Sequence, residues 1–391
     1  MVISGYSKSP IRVESYSQIG SLPPDWDLLL PENHCLKTNL LGVVEESKIS
    51  NLENNYLMVY EQGFLIGVIY LQHLKISPQH FGGPKLDSAG YSWIKRILSL
   101  HFNEIVVCGS AFRTNFPGYY FRKEVSKHKV FEILEAWFSQ TQTRCGYCGL
   151  VVKDCPEYLV PKNKFKAYNE DVTMALNIAS TWNNFDDYQN DLSKKYRQRC
   201  KKIRQQGQAL ERRLLNVEDI EKYSSEIEEL YLNVTMKQSV RIGIVNAAYF
   251  VEMKKAFGDN FILQGYFNNQ NLVAFSSYIL YPLGEMEIHL VGMNYKVNSE
   301  FGLYFNLLFD GVEFAITNKF KRLELGRTAH TAKASLGAEP AAVNNYLYLR
   351  RGMPALAFNI LNTWFRNSIG DDWKTRTPFK AALSKGAIPA A

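Results

Sequence analysis

Val59-Tyr-Glu-Gln-Gly-Phe-Leu-Ile-Gly-Val-Ile-Tyr70 reads as a strand, a tight turn and a second strand, and Tyr266-Phe-Asn-Asn-Gln-Asn-Leu-Val-Ala-Phe-Ser-Ser277 reads the same way. Both turns are short, polar and rich in Asn, Gln or Gly, which are residues that tight turns favour. Both second strands start with an apolar pair, Leu65-Ile66 and Leu272-Val273. A unit that occurs twice predicts a duplicated fold.

The order of elements after each hairpin is also the same, with an apolar strand, a helix and another strand. A long apolar helix between two strands is typical of the crossover in a parallel βαβ unit. The predicted fold class is therefore α/β, with two mixed twisted sheets flanked by helices. The predicted segments are 105–109, 123–140 and 147–152 in the first half, and 286–291, 299–317 and 322–325 in the second.

Length and composition fit this plan. At 391 residues and 46% hydrophobic content, the chain is long and apolar enough for two buried cores. We predict domains at residues 1–180 and 181–391, and the first half carries the longer insertion after its hairpin. The net charge is +7, and residues 194–204 hold seven Lys or Arg and no acid. A local basic patch of this kind indicates an anionic partner.

The six cysteines are expected to be free thiols in a reducing cytoplasm, because residues 1–13 have no sustained apolar run and do not read as a secretory signal. Cys145-x-x-Cys148 with Cys155 lacks a nearby fourth ligand, so we interpret these residues as structural thiols and expect no metal. No run of about 18 apolar residues predicts a membrane span.

Three segments carry a resemblance to a known family. They are the basic run Asp191–Gly207, the segment Leu323-Glu-Leu-Gly-Arg-Thr-Ala329, and the segment Lys333-Ala-Ser-Leu-Gly-Ala-Glu-Pro340. Together with the duplicated plan, they resemble the tandem form of the GNAT-type N-acetyltransferase fold found in Fem-type peptidyltransferases and related acyltransferases. The resemblance covers roughly residues 50–350 and implies two GNAT-like domains.

The resemblance also implies a reaction, the transfer of an activated acyl or aminoacyl group to an amine. The implied donors are acyl-CoA, acyl carrier protein or aminoacyl-tRNA, and no cofactor is expected to stay bound. Because the donor is already activated, the site must align the amine, remove its proton and stabilise the oxyanion. We expect the second domain to carry the site, the first to support it or shape the acceptor site, and the substrates to bind between the halves.

Glu324 is the first catalytic candidate, because it interrupts an apolar strand just before Gly326. A buried carboxylate needs a partner, and both Arg322 and Arg327 are close in sequence. One interpretation makes Glu324 a base or an amine-orienting group, with Arg327 holding an anionic part of donor or acceptor. The other is a structural ion pair. His330 could relay a proton, and Lys333 opens the third resembling segment and is a candidate for substrate binding.

Glu287 and His289 form a second candidate for the general base. They alternate along a predicted strand and therefore share one face of it. An acid and a histidine on one face can act together in proton transfer. A satisfied structural pair is the alternative.

The donor-binding candidates lie near the start of the helix predicted over 299–317. Ser299 could cap this helix and Gly302 lies in its first turn, where free N–H groups could hold a pyrophosphate. The segment has one Gly where the family has two, and Glu300 would repel phosphate. In the basic run, Lys201 and Arg204 could bind the phosphates of CoA, a carrier-protein arm, tRNA or anionic lipid. The alternatives are a structural helix start and a solvated helix face.

The sequence favours a cytoplasmic N-acyltransferase that joins an acyl group from acyl-CoA or acyl carrier protein to a small amine or amino-lipid. A Fem-type enzyme that uses aminoacyl-tRNA on a cell-wall precursor is the first alternative, and no long coiled-coil arm of the kind found in such enzymes is evident. A non-catalytic protein of the same fold and an RNA-binding protein are further alternatives. Residues 354–365 predict a core helix or one that contacts the inner face of a membrane.

Overall fold

Two compact units make up the described part of the chain. The computed structural model describes residues 2–3, 11–82, 100, 103–155, 158–160, 164–168, 172–238, 241, 243–350, 352 and 376–380. Unit 1 takes its described residues from 2–168, 236–252 and 343–352, and unit 2 takes them from 172–235, 253–342 and 376–380. The helix predicted over 354–365 lies outside the described residues.

Strands and helices are numbered in chain order. The strands are β1 (Val2–Ile3), β2 (Ile11–Tyr16), β3 (Leu52–Glu61), β4 (Phe64–Lys75), β5 (Glu104–Cys108), β6 (Tyr119–Phe121), β7 (Gly149–Cys155), β8 (Lys166–Tyr168), β9 (Val172–Asn177), β10 (Glu211–Leu214), β11 (Phe261–Asn268), β12 (Asn271–Tyr281), β13 (Glu285–Met293), β14 (Arg322–Glu324), β15 (Glu339–Ala342) and β16 (Asn344–Leu349). The helices are α1 (Asp25–Leu29), α2 (Thr38–Glu46), α3 (Lys127–Cys145), α4 (Phe185–Asp191), α5 (Lys194–Gln206), α6 (Val217–Lys222), α7 (Ser224–Thr235), α8 (Ala247–Phe257), α9 (Tyr295–Phe301), α10 (Leu303–Thr317) and α11 (His330–Ala334).

The two sheets repeat one pattern of strand pairing. The sheet of unit 1 has the order β1-β2-β3-β4-β5-β7-β16-β8, with β6 paired to β4. The sheet of unit 2 has the order β10-β11-β12-β13-β14-β9-β15. From β2 and from β10 onward, three antiparallel pairings are followed by one parallel pairing and two more antiparallel ones. The predicted α/β class with two mixed sheets is confirmed.

Both predicted hairpins are present, and they match in detail. The turns are Gln62-Gly63 and Asn269-Gln270, and all four residues have positive φ angles, between 48° and 84°. Each pair is a two-residue loop, since Glu61 faces Phe64 and Asn268 faces Asn271. This geometry matches the right-handed twist of the flanking strands. Each hairpin also has a register shift in the same place, two residues before the end of its first strand.

The crossover helices fill the core of each unit from one side of its sheet. In unit 1, α3 connects the parallel strands β5 and β7 and packs apolar side chains on both of them. In unit 2, α10 does the same between β13 and β14. The helix predicted over 299–317 differs in its start. Gly302, with φ of 58°, separates α9 from α10, and Asn294 caps α9 through its side chain. Ser299 therefore lies inside α9 and does not cap a helix.

Two strands pair in a different sheet from the one that their position relative to the predicted domain boundary suggests. Strand β9 lies before the predicted boundary between residues 180 and 181, yet it pairs within the sheet of unit 2, between β14 and β15. Strand β16 lies far beyond that boundary and pairs within the sheet of unit 1, between β7 and β8. The sheet of unit 1 therefore includes a strand from a distant part of the chain, whereas β9 lies at the start of the chain segment that forms unit 2.

All six cysteines are free thiols. Cys148 is buried and its Sγ donates a hydrogen bond to the carbonyl oxygen of Glu104 at 2.8 Å, whereas Cys145 is exposed. Among the described residues, no helix combines the length and the apolar character that crossing a membrane requires.

The matching hairpin turns allow a reciprocal test. The second turn position is Gly63 in one hairpin and Gln270 in the other, and a left-handed backbone favours glycine over residues with a Cβ. We expect Gln270→Gly to raise the free energy of unfolding by about 1 kcal/mol and Gly63→Gln to lower it by about 1 kcal/mol. Denaturant titrations followed by circular dichroism measure both. Changes of the same sign in the two variants would contradict this account of the turns.

Candidate active site

The parallel pairing of β13 and β14 ends at an unusual residue pair, because Glu287 lies directly beside Glu324. This is the last of only three registered pairs between these strands, and β13 continues for six residues beyond it. Adjacent positions of a parallel ladder place side chains on the same face of the sheet. The core-facing neighbours on the two strands, Met286 and Leu323, belong to the apolar cluster under α10, so the two carboxylates lie on the opposite face.

Glu324 is buried, with 4% of its surface exposed, and is held by two donors. The Arg322 guanidinium donates to Oε2 at 3.0 Å and the Gly326 N–H donates to Oε1 at 2.9 Å. Burial raises the pKa of Glu324 above its ordinary value, and the nearby charge of Glu287 adds to this rise. The Gly326 N–H, the charge of Arg322 and the Thr173 hydroxyl oppose it. Glu324 is therefore ion-paired, and burial displaces its pKa in the direction that a general base requires; its catalytic role stays a prediction.

Glu287 joins the predicted acid–histidine pair and adds a tyrosine to it. Its Oε1 lies 3.3 Å from His289 Nδ1, and its Oε2 accepts a hydrogen bond from the Tyr281 hydroxyl at 2.7 Å. The side chain of His289 is fully buried. A carboxylate bonded to one ring nitrogen fixes the orientation of an imidazole, as it does in many sites of proton transfer. Glu287 and His289 therefore lie on one face of β13, as predicted, and their side chains are bonded to each other.

Lys333 brings a buried amine to the same site. It lies in α11, and only 4% of its surface is exposed. Its Nζ is next to Gly326, at 3.8 Å from the position that a Cβ on Gly326 would take. Burial lowers the pKa of Lys333 to about 7, and the charge of Glu324 opposes this shift. A lysine with such a pKa exchanges protons near neutral pH, which an ordinary surface lysine does not do.

The sheet of unit 1 provides an internal comparison for this cluster. Positions in the two sheets can be matched by counting residues from each hairpin turn and then following the paired residues from strand to strand. Glu287 then corresponds to Val107 and Glu324 to Val151. By the same count, Tyr281 corresponds to Leu74 and His289 to Gly109. Leu74, Val107 and Val151 form one apolar cluster in unit 1. The fold itself therefore does not require polar residues at these positions.

The other predicted residues of this region lie close by in the chain. Arg327 is half-buried and follows Gly326, whose φ is 79°, so the chain turns sharply after β14. His330 is the first residue of α11, and Ala329, with φ of 55°, precedes it. The short helix begins at this turn and positions Lys333 under the end of β14. The substrate-binding roles of Arg327, His330 and Lys333 stay predictions.

The start of α10 is closed by packing within unit 2. The Asn298 side chain accepts the N–H of Tyr304 in the first turn of α10, at 3.0 Å. The Asn306 amide donates to the carbonyl oxygens of Ile203 in α5, at 2.9 Å, and of Phe301, at 2.8 Å. The C-terminal end of α5 thus lies against the N-terminal end of α10. The donor-binding roles of Ser299 and Gly302 stay predictions, and the single glycine between α9 and α10 leaves no glycine-rich loop there.

Lys201 and Arg204 lie in different surroundings on α5. Lys201 is exposed. Arg204 forms ion pairs with Asp310 and Glu313 of α10, and Arg212 Nε donates to the same Asp310 at 2.8 Å. The Arg204 guanidinium is therefore already paired inside unit 2, which is a structural role that its sequence position did not reveal. Cys200 and Ile203 of α5 are buried, and Tyr196, which shares their side of the helix, is partly buried against the core of unit 2.

Some residues of the site escaped the sequence prediction. Tyr281 ends β12, six positions before the Glu287 that it bonds, and Thr173 lies on β9, which joins this sheet from an earlier part of the chain. The strand pairing brings both to the cluster. The sequence could have indicated Tyr281 by its position at the end of the second hairpin strand, directly before the turn into β13.

No family model matches the sequence, and a search of curated proteins finds no match. Among solved structures, the chain is similar to a tandem GNAT protein from the clavulanic acid biosynthesis pathway, with 10% identity over 86% of this chain and 98% of that one, and a TM-score of 0.48. A conserved protein of unknown function from Bacteroides thetaiotaomicron has 11% identity over 87% and 100%, with a TM-score of 0.48. A GCN5-related N-acetyltransferase from Kribbella flavida has 8% identity over 87% and 71%, with a TM-score of 0.45.

These similarities concern the fold alone, and all three scores lie below 0.5. The hairpin, strand, helix and strand that the GNAT-type resemblance implies occur in both units of the chain. The predicted tandem GNAT-type fold is therefore confirmed, while the relation to Fem-type enzymes stays a prediction.

The buried amine gives a pH-dependent prediction for stability. The pKa of Lys333 falls from an ordinary 10.5 to about 7 on folding, so folding releases a proton between these values and stability rises with pH there. We expect the free energy of unfolding of the wild type, relative to Lys333→Met, to rise by about 2 kcal/mol between about pH 7 and about pH 9. Urea titrations at several pH values measure this difference.

A matched variant controls for general effects of pH. Lys319 is exposed in unit 2, and Lys319→Met should differ from the wild type by a constant amount, within about 0.5 kcal/mol, over the same range. A Lys333→Met curve that runs parallel to the wild-type curve would show that Lys333 keeps its proton in the folded chain.

Proposed function

We propose that this chain is an N-acyltransferase, which transfers an acyl group from a thioester donor to a primary amine and forms an amide. The observation that carries the proposal is the cluster of buried ionisable groups at the end of the β13–β14 pairing, where the matching positions of unit 1 are apolar. The predicted acceptor is a small amine or amino-lipid, and the donor is acyl-CoA or an acyl carrier protein.

The energetic cost of the cluster supports a functional role. Each buried charge must be compensated by partners, and replacing such groups by apolar residues is often neutral or stabilising. Unit 1 has that apolar solution with Val107 and Val151. Unit 2 instead keeps Glu287 and Glu324 side by side, each with its own donors. Retention of the costly arrangement in one of two equivalent sheets is what a site of proton transfer would require.

The proposed reaction needs a base and a group that stabilises negative charge. Glu324 accepts a proton from the amine as its nitrogen bonds to the thioester carbonyl carbon. The carbon–sulfur bond then breaks, the sulfur leaves and takes up a proton, and the products are an amide and a free thiol. Lys333, in its ammonium form, stabilises the negative oxygen of the tetrahedral intermediate. Glu287 lies beside Glu324 and is bonded to both Tyr281 and His289, so Glu287 and His289 can pass the proton onward.

Arg322 and Tyr281 give this buried cluster its contact with solvent. The side chains of Glu287, His289 and Glu324 are at most 5% exposed, whereas that of Arg322 is 24% exposed. Tyr281 is also only partly buried. An amine would approach the carboxylates from this side, and exclusion of water strengthens the electrostatic interactions inside the site.

A non-catalytic protein of the same fold is the second candidate, and the closed start of α10 favours it. The α10 N–H of Tyr304 is bonded to Asn298, and the end of α5 lies against the first turn. A protein that lost its donor site would form no amide with any donor. It would also tolerate Glu324→Gln without loss of its function.

The direct test compares Glu324→Gln with the wild type in amide formation, followed by mass spectrometry with panels of acyl-CoA, acyl carrier protein and aminoacyl-tRNA donors. Removal of a general base should lower the turnover rate about 100-fold or more. The rate of the wild type should rise with pH through a pKa above the ordinary glutamate range, since burial raises the pKa of Glu324. This rise should be absent from the Glu324→Gln profile.

Glu285→Gln is the matched control, because Glu285 is exposed at the start of β13, two residues from Glu287. It removes the same charge from the neighbouring strand, and we expect a rate within about threefold of the wild type. Ribonuclease treatment should leave the activity intact, whereas a tRNA-dependent Fem-type enzyme would lose it. Absence of amide product with every donor, in the assay and in extracts of producing cells, would overturn the proposal.

A further inference from the structure

The exposed face of α5 has a concentration of positive charge. Five of its basic residues are exposed, and among the described residues none of the five forms an ion pair. The row formed by Lys195, Arg199 and Lys202 follows the spacing i, i+4 and i+7, which aligns side chains on one side of a helix. The five residues are Lys194, Lys195, Arg199, Lys201 and Lys202.

The basic residues of α5, seven in all, equal the net charge of the chain in number. Of the 45 Lys and Arg residues, seven lie in 194–204, and the remaining 38 match the 38 Asp and Glu residues. A long polyanion such as tRNA would extend beyond one helix, and in the rest of the chain the positive and negative residues are equal in number. A compact partner that presents one acidic surface fits a single patch of this size.

The patch is purely electrostatic in character. Cys200 and Ile203 are buried, Tyr196 is partly buried against the core of unit 2, and the Arg199 guanidinium covers the ring of Phe305 at 4.3 Å from its centroid. Single-stranded nucleic acids are bound by exposed aromatic residues on which bases stack, and membrane-surface helices insert exposed apolar residues. The exposed face of α5 has neither feature, so charge complementarity to an acidic protein surface is the better match.

The same helix closes the start of α10, where the GNAT-type resemblance implies that the pyrophosphate of CoA would bind. A Cβ on Gly302 would lie 3.2 Å from Ile203, and one on Gly207 would lie 2.4 Å from Asn306 Nδ2, so the end of α5 is packed tightly against the start of α10. Gln206 also donates to the carbonyl oxygen of Ser299, at 3.2 Å. The N-terminal end of α10 is therefore occupied by protein, and a donor with its own docking surface does not need it.

We propose that the exposed cationic face of α5 docks the acidic surface of an acyl carrier protein, which delivers the acyl thioester. The inference rests on the proposed N-acyl transfer and selects the carrier protein over CoA as the donor. A carrier-protein arm has one phosphate and no adenosine diphosphate, so it does not require the helix terminus that α5 covers. The chain would then recognise the donor by the carrier protein's surface and not by the nucleotide of CoA.

Binding of apo-acyl carrier protein, which lacks the arm, isolates the docking step from catalysis. Calorimetric titration of the full chain should show binding that weakens steeply between about 50 mM and about 300 mM salt. Lys195→Glu combined with Lys202→Glu should weaken it about tenfold or more. Lys222→Glu combined with Lys319→Glu makes the same change of charge at exposed positions of unit 2 outside α5, and should change the affinity by about twofold at most.

The donor assay separates failure of this inference from failure of the proposed function. We expect the α5 double variant to lose about tenfold in kcat/KM with the acyl carrier protein donor, with circular dichroism unchanged. Amide formation from acyl-CoA that the double variant leaves intact, with no carrier binding, would overturn the inference and leave N-acyl transfer standing. Equal losses in the two double variants would also overturn it. So would binding of total tRNA or phosphatidylglycerol vesicles that depends on α5, while carrier binding does not.

Discussion

Two carboxylates beside each other at the end of a parallel strand pair are the constraint on which the rest of the site depends. Glu287 and Glu324 are Cα neighbours in the β13–β14 ladder and both are away from water. Like charges in a medium of low polarity repel strongly, so each carboxylate needs donors of its own. Tyr281 and His289 meet this need for Glu287, while Arg322 and the Gly326 N–H meet it for Glu324.

The duplicated fold shows which features belong to the scaffold and which to the site. The hairpin turns, the register shifts, the crossover helices and the single parallel pairing recur in both units. The polar cluster does not recur, because Val107 and Val151 occupy the positions of Glu287 and Glu324. A sheet of this design can thus form with apolar residues at the end of its parallel strand pair. The acids of unit 2 are an addition to a fold that stands without them.

The sequence indicated local features well and long-range pairing poorly. The two hairpins were predictable because turn residues and apolar alternation are properties of a few neighbouring residues. The shared face of Glu287 and His289 followed from the period of a strand. The break at Gly302 was missed, because an apolar helical pattern continues across it and only the αL backbone of one glycine separates α9 from α10. The pairing of Arg204 with Asp310 was missed because those residues lie 106 positions apart.

The place of β16 in the sheet of unit 1 has a consequence for how this protein folds during its synthesis. The sheet of unit 1 receives β16 between β7 and β8, and β16 spans residues 344–349, whereas most of that sheet is encoded before residue 170. During translation, the early strands leave the ribosome long before the strand that separates β7 from β8 exists. Unpaired strand edges are open to wrong partners for that whole interval. The N-terminal half, expressed on its own, is for the same reason an incomplete sheet, because the strand that joins β7 to β8 is encoded about 175 residues after β8.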